Sequence, residues 1–374
     1  MNIAEIEFIP VSVPLPAPFR PAWFPNVTQT ATEGTVVKVR SDDGTVGYGW
    51  QNSFGNEIKT VGNSKVFRDL VIGLDVFNVE KLIRILTGIT YSMNTVDLWG
   101  VECAVWDVIG KSCGKPISKL LGGAKDRVMA YASTSMLKSP TEHARDAVQI
   151  RNFGFRAIKI RIHHDDLGDD IAVIRAVRDA VKDDMTIMVD ANQAATYSGP
   201  IWSYERALKT ARKLQNLEVY WLEEPLFHEA HEDLARLARE VDILIAGGED
   251  ENGFFRFKDI IDHDCFDVIQ GDVSASGGIL QLKKIAILAE AAGKMFVPHS
   301  FDTGINMAGA LQVIGSVPNS PFVEYAFDPP SLDLGHDKLL KTPIEVSKDG
   351  FVDIPSGPGL GVEVDDEVIE KYRL

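Results

Sequence analysis

The sequence predicts an α/β protein in which a barrel of eight β/α units follows an α+β region. Three observations predict it. From about residue 127, short β-rich runs alternate with helical stretches at the spacing of successive βα units. The first third has the other order, strands and then helices. At 374 residues and 45% apolar, the chain is too long for one small core and too apolar for general disorder. A doubly wound open sheet is the competing arrangement, and strand count alone does not separate the two.

Residues 3–13 alternate apolar and polar side chains, as a half-buried strand does. Pro14, Pro16, Pro18, Pro21 and Pro25, with Phe19, Trp23 and Phe24 among them, mark a loop over residues 14–30. Residues 34–40 and 45–50 read as two strands joined by Asp42-Asp43-Gly44, a hairpin signal. Helical patterns at 57–70, 76–86 and 95–112 complete a first region, residues 1–126. The β-rich runs of the second region, 127–339, are 128–133, 156–162, 186–190, 218–222, 243–246, 267–269, 295–298 and 321–325. Helical patterns such as Ile171–Val181, Tyr204–Leu214 and Ile279–Ala292 lie between them. The tail, 340–374, contains the Gly/Pro-rich segment Pro355–Gly361 and is expected to fold back on the first region.

Asp and Glu number 54 against 38 Lys and Arg, a net charge of −16 that excludes general binding to nucleic-acid phosphates. An anionic substrate would therefore need a local cation, a metal or a few placed Lys and Arg. Cys103, Cys113 and Cys265 form no Cys-x-x-Cys pair, which suggests free thiols in a reducing compartment. Met1 to Pro10 lacks the basic start of a signal peptide, and no apolar run is long enough to span a bilayer. A cytoplasmic protein, without membrane partners and assembled as a homo-oligomer, is expected.

The chemistry sits at the ends of the β-rich runs. Lys159 and Arg161, two apart, point to one face of the second run. Asp190 and Glu223 end the third and fourth, and Glu249 follows the fifth. Asp272, His299 and Glu324 belong to the sixth, seventh and eighth. The intervals from Asp190 to Glu324 are 33, 26, 23, 27 and 25 residues, one βα unit each, so these groups converge at one mouth of a barrel. Asp190, Glu223 and Glu249, with no Cys or paired His, make a hard oxygen site suited to Mg²⁺ and nearly as well to Mn²⁺. The alternative is that they only pair with Lys159 and Arg161. An Asp272 beside His299 would fix its tautomer and raise its basicity, as a general base requires. Trp23 and Phe24, Asn192 after Asp190, and His163 in the loop after the second run are candidate substrate contacts. His228, His231 and His263 read as surface residues. Gly277-Gly278 before a helix could cradle an anion, although such a pair more often makes a tight turn.

Taken in order, these residues resemble the mandelate racemase and muconate-lactonising branch of the enolase superfamily. The resemblance rests on Glu102-Cys103-Ala104-Val105-Trp106-Asp107 through Leu120-Leu121-Gly122-Gly123, Val189-Asp190-Ala191-Asn192, Trp221-Leu222-Glu223-Glu224-Pro225 and Gly248-Glu249. Asp272 with Ser276-Gly277-Gly278, Pro298-His299 and Val323-Glu324 follow in the same order. It implies a modified TIM barrel, (β/α)8-type, under an α+β capping domain that the tail joins. It implies Mg²⁺ on Asp190, Glu223 and Glu249, Lys159 neutralising a substrate carboxylate, the Asp272–His299 pair as base, and Glu324 bonded to a carboxylate oxygen as an enediolate forms. The Pro-rich loop, 14–30, and the segment Gln51 to Glu57 would select the substrate.

One residue departs from the pattern. The family's Lys-x-Lys pair reads Lys159-Ile160-Arg161 here. Arginine stays protonated and is a poor base, which leaves His299 as the single competent base. Racemisation needs groups on two faces, whereas β-elimination needs one base. The sequence is therefore expected to encode a dehydratase of an aldonate or aldarate. A lactone or anhydro-sugar cycloisomerase ranks second and a racemase or epimerase third. The alternative of another class is a metal-dependent sugar-acid binding protein. Arg161 would be an electrostatic clamp or a donor to a substrate hydroxyl, the alternative being a salt bridge to a metal ligand.

Overall fold

A computed structural model describes residues 1–374 except 53–55, 94–96 and 196–200, and the side chains of residues 56 and 57. Part of the segment Gln51 to Glu57 therefore lies outside the described residues.

The first region opens with an antiparallel sheet of β1 (Ile3–Phe19), β2 (Gln29–Ser41) and β3 (Val46–Gln51), in that order. The expected proline loop is corrected here: β1 runs on through Pro14, Pro16 and Pro18. These prolines fall on alternate, exposed positions, while Val13, Leu15 and Phe19 between them are buried. β1 is an edge strand, so proline's missing N–H removes no obligatory ladder bond. Only residues 20–28 remain a loop.

Helices α1 (Asn56–Asn63), α2 (Lys65–Val71), α3 (Val79–Met93) and α4 (Trp99–Cys113) follow. The single helix expected over 57–70 is two, because Ser64 caps α2 by accepting from the Phe67 N–H. α4 lies directly on β3. A Cβ at Gly49 would stand 2.0 Å from the Gly100 carbonyl oxygen, and one at Gly47 would stand 2.2 Å from that of Ala104. Two glycines in β3 thus permit a strand–helix approach that no larger residue allows.

After the short α5 (Ile117–Leu120), eight parallel strands alternate with helices. They are β4 (Arg127–Ser133), β5 (Ala157–Arg161), β6 (Thr186–Asp190), β7 (Trp221–Glu223), β8 (Leu244–Gly247), β9 (Val268–Ile269), β10 (Met295–Phe296) and β11 (Phe322–Ala326). The helices are α6 (Pro140–Phe153), α7 (Leu167–Val181), α8 (Tyr204–Gln215), α9 (His231–Glu240), α10 (Phe254–Asp262), α11 (Gly278–Ala291) and α12 (Gly304–Ile314). The order β10-β9-β8-β7-β6-β5-β4-β11 leaves β10 and β11 at the two ends of the ladder. The sheet nonetheless curls shut. Tyr131, Ala157, Met188, Trp221, Ala246, Val268, Val297 and Phe322, one from each strand or the residue following it, form one buried cluster. In an open sheet the first and last of these would be far apart, so the doubly wound alternative is excluded.

The tail, with β12 (Phe351–Asp353) and α13 (Asp366–Lys371), touches both regions. β12 pairs antiparallel with β4. Farther on, the Leu374 N–H donates to Pro10 O (2.9 Å) and Asp366 accepts from Lys38 and from the Tyr48 hydroxyl (2.9 Å each).

Buried acids on α4 join the first region to the barrel. Glu102 accepts from the N–H groups of Ile279 (2.7 Å) and Leu280 (3.0 Å) and from the Trp106 indole (2.9 Å). The anion cradled at the Gly277-Gly278 turn is thus this protein's own carboxylate. Asp107 binds the Tyr48 and Leu360 N–H groups and the Lys111 ammonium (2.9, 2.8 and 2.7 Å).

Candidate active site

Side chains in a strand repeat their facing every second residue. Two residues beyond the interior cluster, toward the C-terminal ends of the strands, stand Ser133, Lys159, Asp190, Glu223, Gln270, His299 and Glu324. An apolar layer closes the barrel, and a polar layer of the same strands lies above it.

Lys159 is fully buried at the centre of that layer. Its Nζ lies 2.5 Å from Glu223 Oε1, 2.9 Å from Glu324 Oε1 and 3.5 Å from Asp190 Oδ2. Burial opposes its charge, but Glu223 and Glu324 outweigh burial and hold its pKa above the usual lysine value. Arg161 ion-pairs with Asp190 and donates from Nε to Thr134 O (2.8 Å) and from Nη2 to Ser133 Oγ (3.2 Å). Its guanidinium also lies 5.1 Å from the Trp23 ring and 5.5 Å from that of Phe301.

His299 faces Lys159 across the mouth. Its Nδ1 lies 2.8 Å from Asp272 Oδ2. Asp272 is fixed in turn by Asn306 Nδ2 (3.1 Å) and by the N–H and hydroxyl of Ser274 (2.6 and 2.7 Å). This orients the imidazole with Nε2 inward, 3.7 Å from Glu249 and 3.8 Å from Glu324. Burial opposes protonation, but Glu249, Glu324 and Asp272 hold the His299 pKa well above the imidazole range. Glu324 is the reverse case: burial would raise it, but Lys159, His299 and Arg161 hold it below the usual range.

Glu223 also accepts from the Trp221 indole (3.0 Å) and from Gln270 Nε2 (2.9 Å). Burial and neighbouring acids push it up to about 8 and Glu249 up to about 7, against the pull of Lys159 and His299. Crowded carboxylates of this kind, without Cys or His donors, suit a hard dication. Asp190 and Glu223 are here ion-paired with Arg161 and Lys159, so the three acids do not yet converge on one point. Among the described residues, the metal-capable trio with ligand atoms all within 4.8 Å is His231, Asp259 and His263, on the part-exposed face of α9 and α10.

A cavity of about 270 Å³ opens above the layer, lined in part by Trp23, Phe24, Arg161, Asn192, Glu249 and His299. A larger cavity, about 410 Å³, lies between the β10 and β11 loops and the tail and holds neither His299 nor the three carboxylates. Asn192 takes φ +46°, donates its N–H to Asp190 Oδ1 (2.8 Å) and accepts from Arg161 (3.4 Å). His163 is not brought into the cavity. It is buried with Nε2 3.0 Å from Ala22 O, where it props the loop that carries Trp23.

Residues 5–122 match the mandelate racemase / muconate lactonizing enzyme N-terminal domain, and residues 142–368 match the enolase C-terminal domain-like family. The chain belongs to the enolase superfamily, in its mandelate racemase/muconate-lactonizing branch. It is 32% identical to the arabinonate dehydratase of Saccharolobus solfataricus, over 91% of each chain. It is 31% identical to the D-galactarolactone cycloisomerase of Agrobacterium fabrum, again over 91% of each. A racemase structure from Streptomyces coelicolor A3(2) with bound magnesium aligns over 100% of both chains, with TM-score 0.87 and 26% identity. The superfamily fold, a capping domain on a (β/α)8-type barrel, accounts for both regions, and Mg²⁺ is the cofactor its members use.

Sequence reasoning passed over several groups at this site. These are Glu224, Asp250, Phe301 and Asp302; Asn52, which also lines the cavity, belongs to the segment Gln51 to Glu57 that was expected to select the substrate. Glu224 had a signal, its place beside Glu223 in the Glu-Glu-Pro turn. There φ +45° turns it inward, and its buried Oε1 has no hydrogen-bond partner. Asp302 had none, since it stands on a loop outside the two-residue strand period. No helix among the described residues is long and apolar enough to cross a membrane. The three cysteines are free, Cys103 and Cys265 buried and Cys113 exposed.

Proposed function

We propose that the protein is a dehydratase of sugar acids, with His299 as its single base. The observation that carries this is the pair of groups facing each other across the mouth. On one side, His299 is oriented by Asp272 with Nε2 turned inward. On the other, the second inward position of β5 is Arg161, ion-paired to Asp190 and unable to give up a proton at working pH.

In this reading Asp190, Glu223 and Glu249 hold Mg²⁺, which supplies positive charge to the substrate carboxylate. Lys159 adds a second positive charge there, and Glu324 bonds a carboxylate oxygen as charge builds. His299 Nε2 takes the proton from the carbon next to the carboxylate. The C–O bond at the next carbon then breaks, and the imidazolium returns the proton to the departing hydroxide as water. The enol left behind tautomerises to a 2-keto-3-deoxy acid. Arg161 and Trp23 close one wall and position the substrate beside Asp190. A cycloisomerase is the second reading, because intramolecular rearrangement of a lactone or anhydro sugar also needs only one base.

The test is to incubate the Mg²⁺-loaded protein with acid sugars in D₂O and follow products by NMR. A 2-keto-3-deoxy acid is the expected product. Conversion of a lactone or anhydro sugar without net loss of water establishes the cycloisomerase instead. EDTA-sensitive binding with neither product nor α-deuterium makes the protein a binder rather than an enzyme.

A further inference from the structure

We infer that the site takes a monocarboxylate sugar acid with an uncharged hydroxylated tail, and that Asp302 selects it against dicarboxylates. This deepens the reading above and rests on a sugar acid being the ligand.

The inner cavity adjoins an outer one of about 460 Å³, and the two share Trp23, Phe24, Asn52, Phe301 and Asp302. The carboxylate next to the reacting carbon is met at the inner end, by Lys159 and the metal-binding acids. With the cavity of about 410 Å³ beside the tail, which holds Lys338, the inner cavity shares only Phe301 and Asp302, against five residues with the outer one, so the far end of an acyclic sugar acid is placed toward the outer cavity. An aldonate places a hydroxymethyl group there, and an aldarate places a second carboxylate.

Among the described residues lining the outer cavity there is no lysine or arginine. Its charged groups are Glu33 and Asp302, and its one imidazole, His336, has Nδ1 3.3 Å from Asp333 O. Arg20, on the adjoining loop, lines neither cavity and donates to Thr28 Oγ1 (3.4 Å). The segments 53–55 and 196–200 contain only Ser, Phe, Gly, Thr, Tyr and Pro, so they add no cation. Arg161, in the inner cavity, is already committed to Asp190, Thr134 and Ser133. A second carboxylate there would therefore meet no positive charge and would face the acids Asp302 and Glu33. A neutral polyol tail suffers neither cost.

Asp302 is built into the site rather than left at the surface by chance. Its Oδ2 accepts from the indole N–H of Trp50 (3.3 Å), a residue 2% exposed on β3 of the capping domain. Among the described residues this is the one hydrogen bond to the carboxylate, so Oδ1 is available to a substrate hydroxyl. Burial and Asp272 push Asp302 up to about 7. In neither protonation state does it offer a positive charge.

The experiment uses pairs of acids that match at every stereocentre and differ only at the far end, galactonate with galactarate and gluconate with glucarate. Binding is measured by calorimetry on the Mg²⁺-loaded His299→Asn protein, and turnover on the wild type. The aldonate of a pair is expected to bind at least about tenfold more tightly than its aldarate. Asp302→Asn is expected to narrow that ratio several-fold, mainly by improving the aldarate, and Glu33→Gln to narrow it less. An aldarate bound as tightly as its aldonate overturns the inference, as does an unchanged ratio in a folded Asp302→Asn protein. If Asp302→Asn fails to fold, the wild-type ratio alone decides. Preferential aldonate binding without any 2-keto product would sink the dehydratase reading and leave this one standing. No binding of any acid sugar overturns both.

Discussion

His299 and Arg161 differ in the one property that matters at a proton-transfer position, whether the side chain can change charge near neutral pH. His299→Asn keeps a polar group of similar reach beside Asp272 but removes the base. Turnover should fall by about 100- to 10,000-fold, while circular dichroism and Mg²⁺ affinity stay close to wild type. Retention of full turnover would eliminate His299 as the base. These side chains were legible in the sequence because Arg161 ends β5, His299 follows closely on β10, and the strands recur at βα intervals. Asp302 was not legible, because a loop residue three places after His299 has no facing that periodicity can assign. His163 shows the same limit. Its position after β5 allowed a ligand contact, and only the packing of the 20–28 loop decided that it turns to Ala22 instead.

Between elements, the capping domain is held to the barrel by buried polar contacts rather than by apolar area alone. Glu102 satisfies two first-turn N–H groups of α11 and one indole, so Glu102→Ala leaves three donors unmet. A loss of about 2 to 4 kcal/mol in denaturant unfolding is expected. Gly49→Ala tests the β3–α4 approach. Its Cβ would meet the Gly100 carbonyl at 2.0 Å, so strand or helix must shift. About 1 to 3 kcal/mol should be lost. Because Trp50 and Gln51 follow directly, kcat/KM should fall with it. A Gly49→Ala protein with unchanged stability and turnover would show that β3 can move without disturbing the mouth. Neither glycine is marked by local sequence, since the neighbour that demands it lies some fifty residues away. The prolines of β1 mislead for a related reason. Proline density argues against a strand until it is known that the strand is an edge.

For the molecule as a whole, the crowded acids make stability depend on pH and metal together. Glu223 and Glu249 are raised to about 8 and about 7, and His299 is raised as well. Across that window the folded, metal-free protein holds more protons than the unfolded chain. The stability these three groups contribute is therefore fully present below their unfolded-state pKa values and is lost as pH rises toward 8, while Glu324, held low, works in the opposite sense only at acid pH. Mg²⁺ should oppose this, since it binds the deprotonated acids and replaces the lost protons. Calorimetric melting at pH 6 and pH 8, with and without Mg²⁺, should show a larger metal-induced rise in Tm at pH 8. Mg²⁺ affinity itself should strengthen over the same interval. An equal rise at both pH values would mean that these carboxyls are already ionised at pH 6.

By itself the sequence indicated the class of fold, most of the order of its elements, and five residues of the polar layer, Lys159, Asp190, Glu223, His299 and Glu324, but not Ser133 or Gln270. Those features follow from local periodicity and from the repeat length of a βα unit, which a single chain displays directly. Tertiary structure decided that the sheet closes, that the first strand continues through its prolines, and that Glu102 occupies the helix end at Gly277-Gly278. It also decided which loop groups, Asp302 above all, line the cavity. Each of these depends on a partner distant in the chain, and no local pattern records which distant residue will arrive.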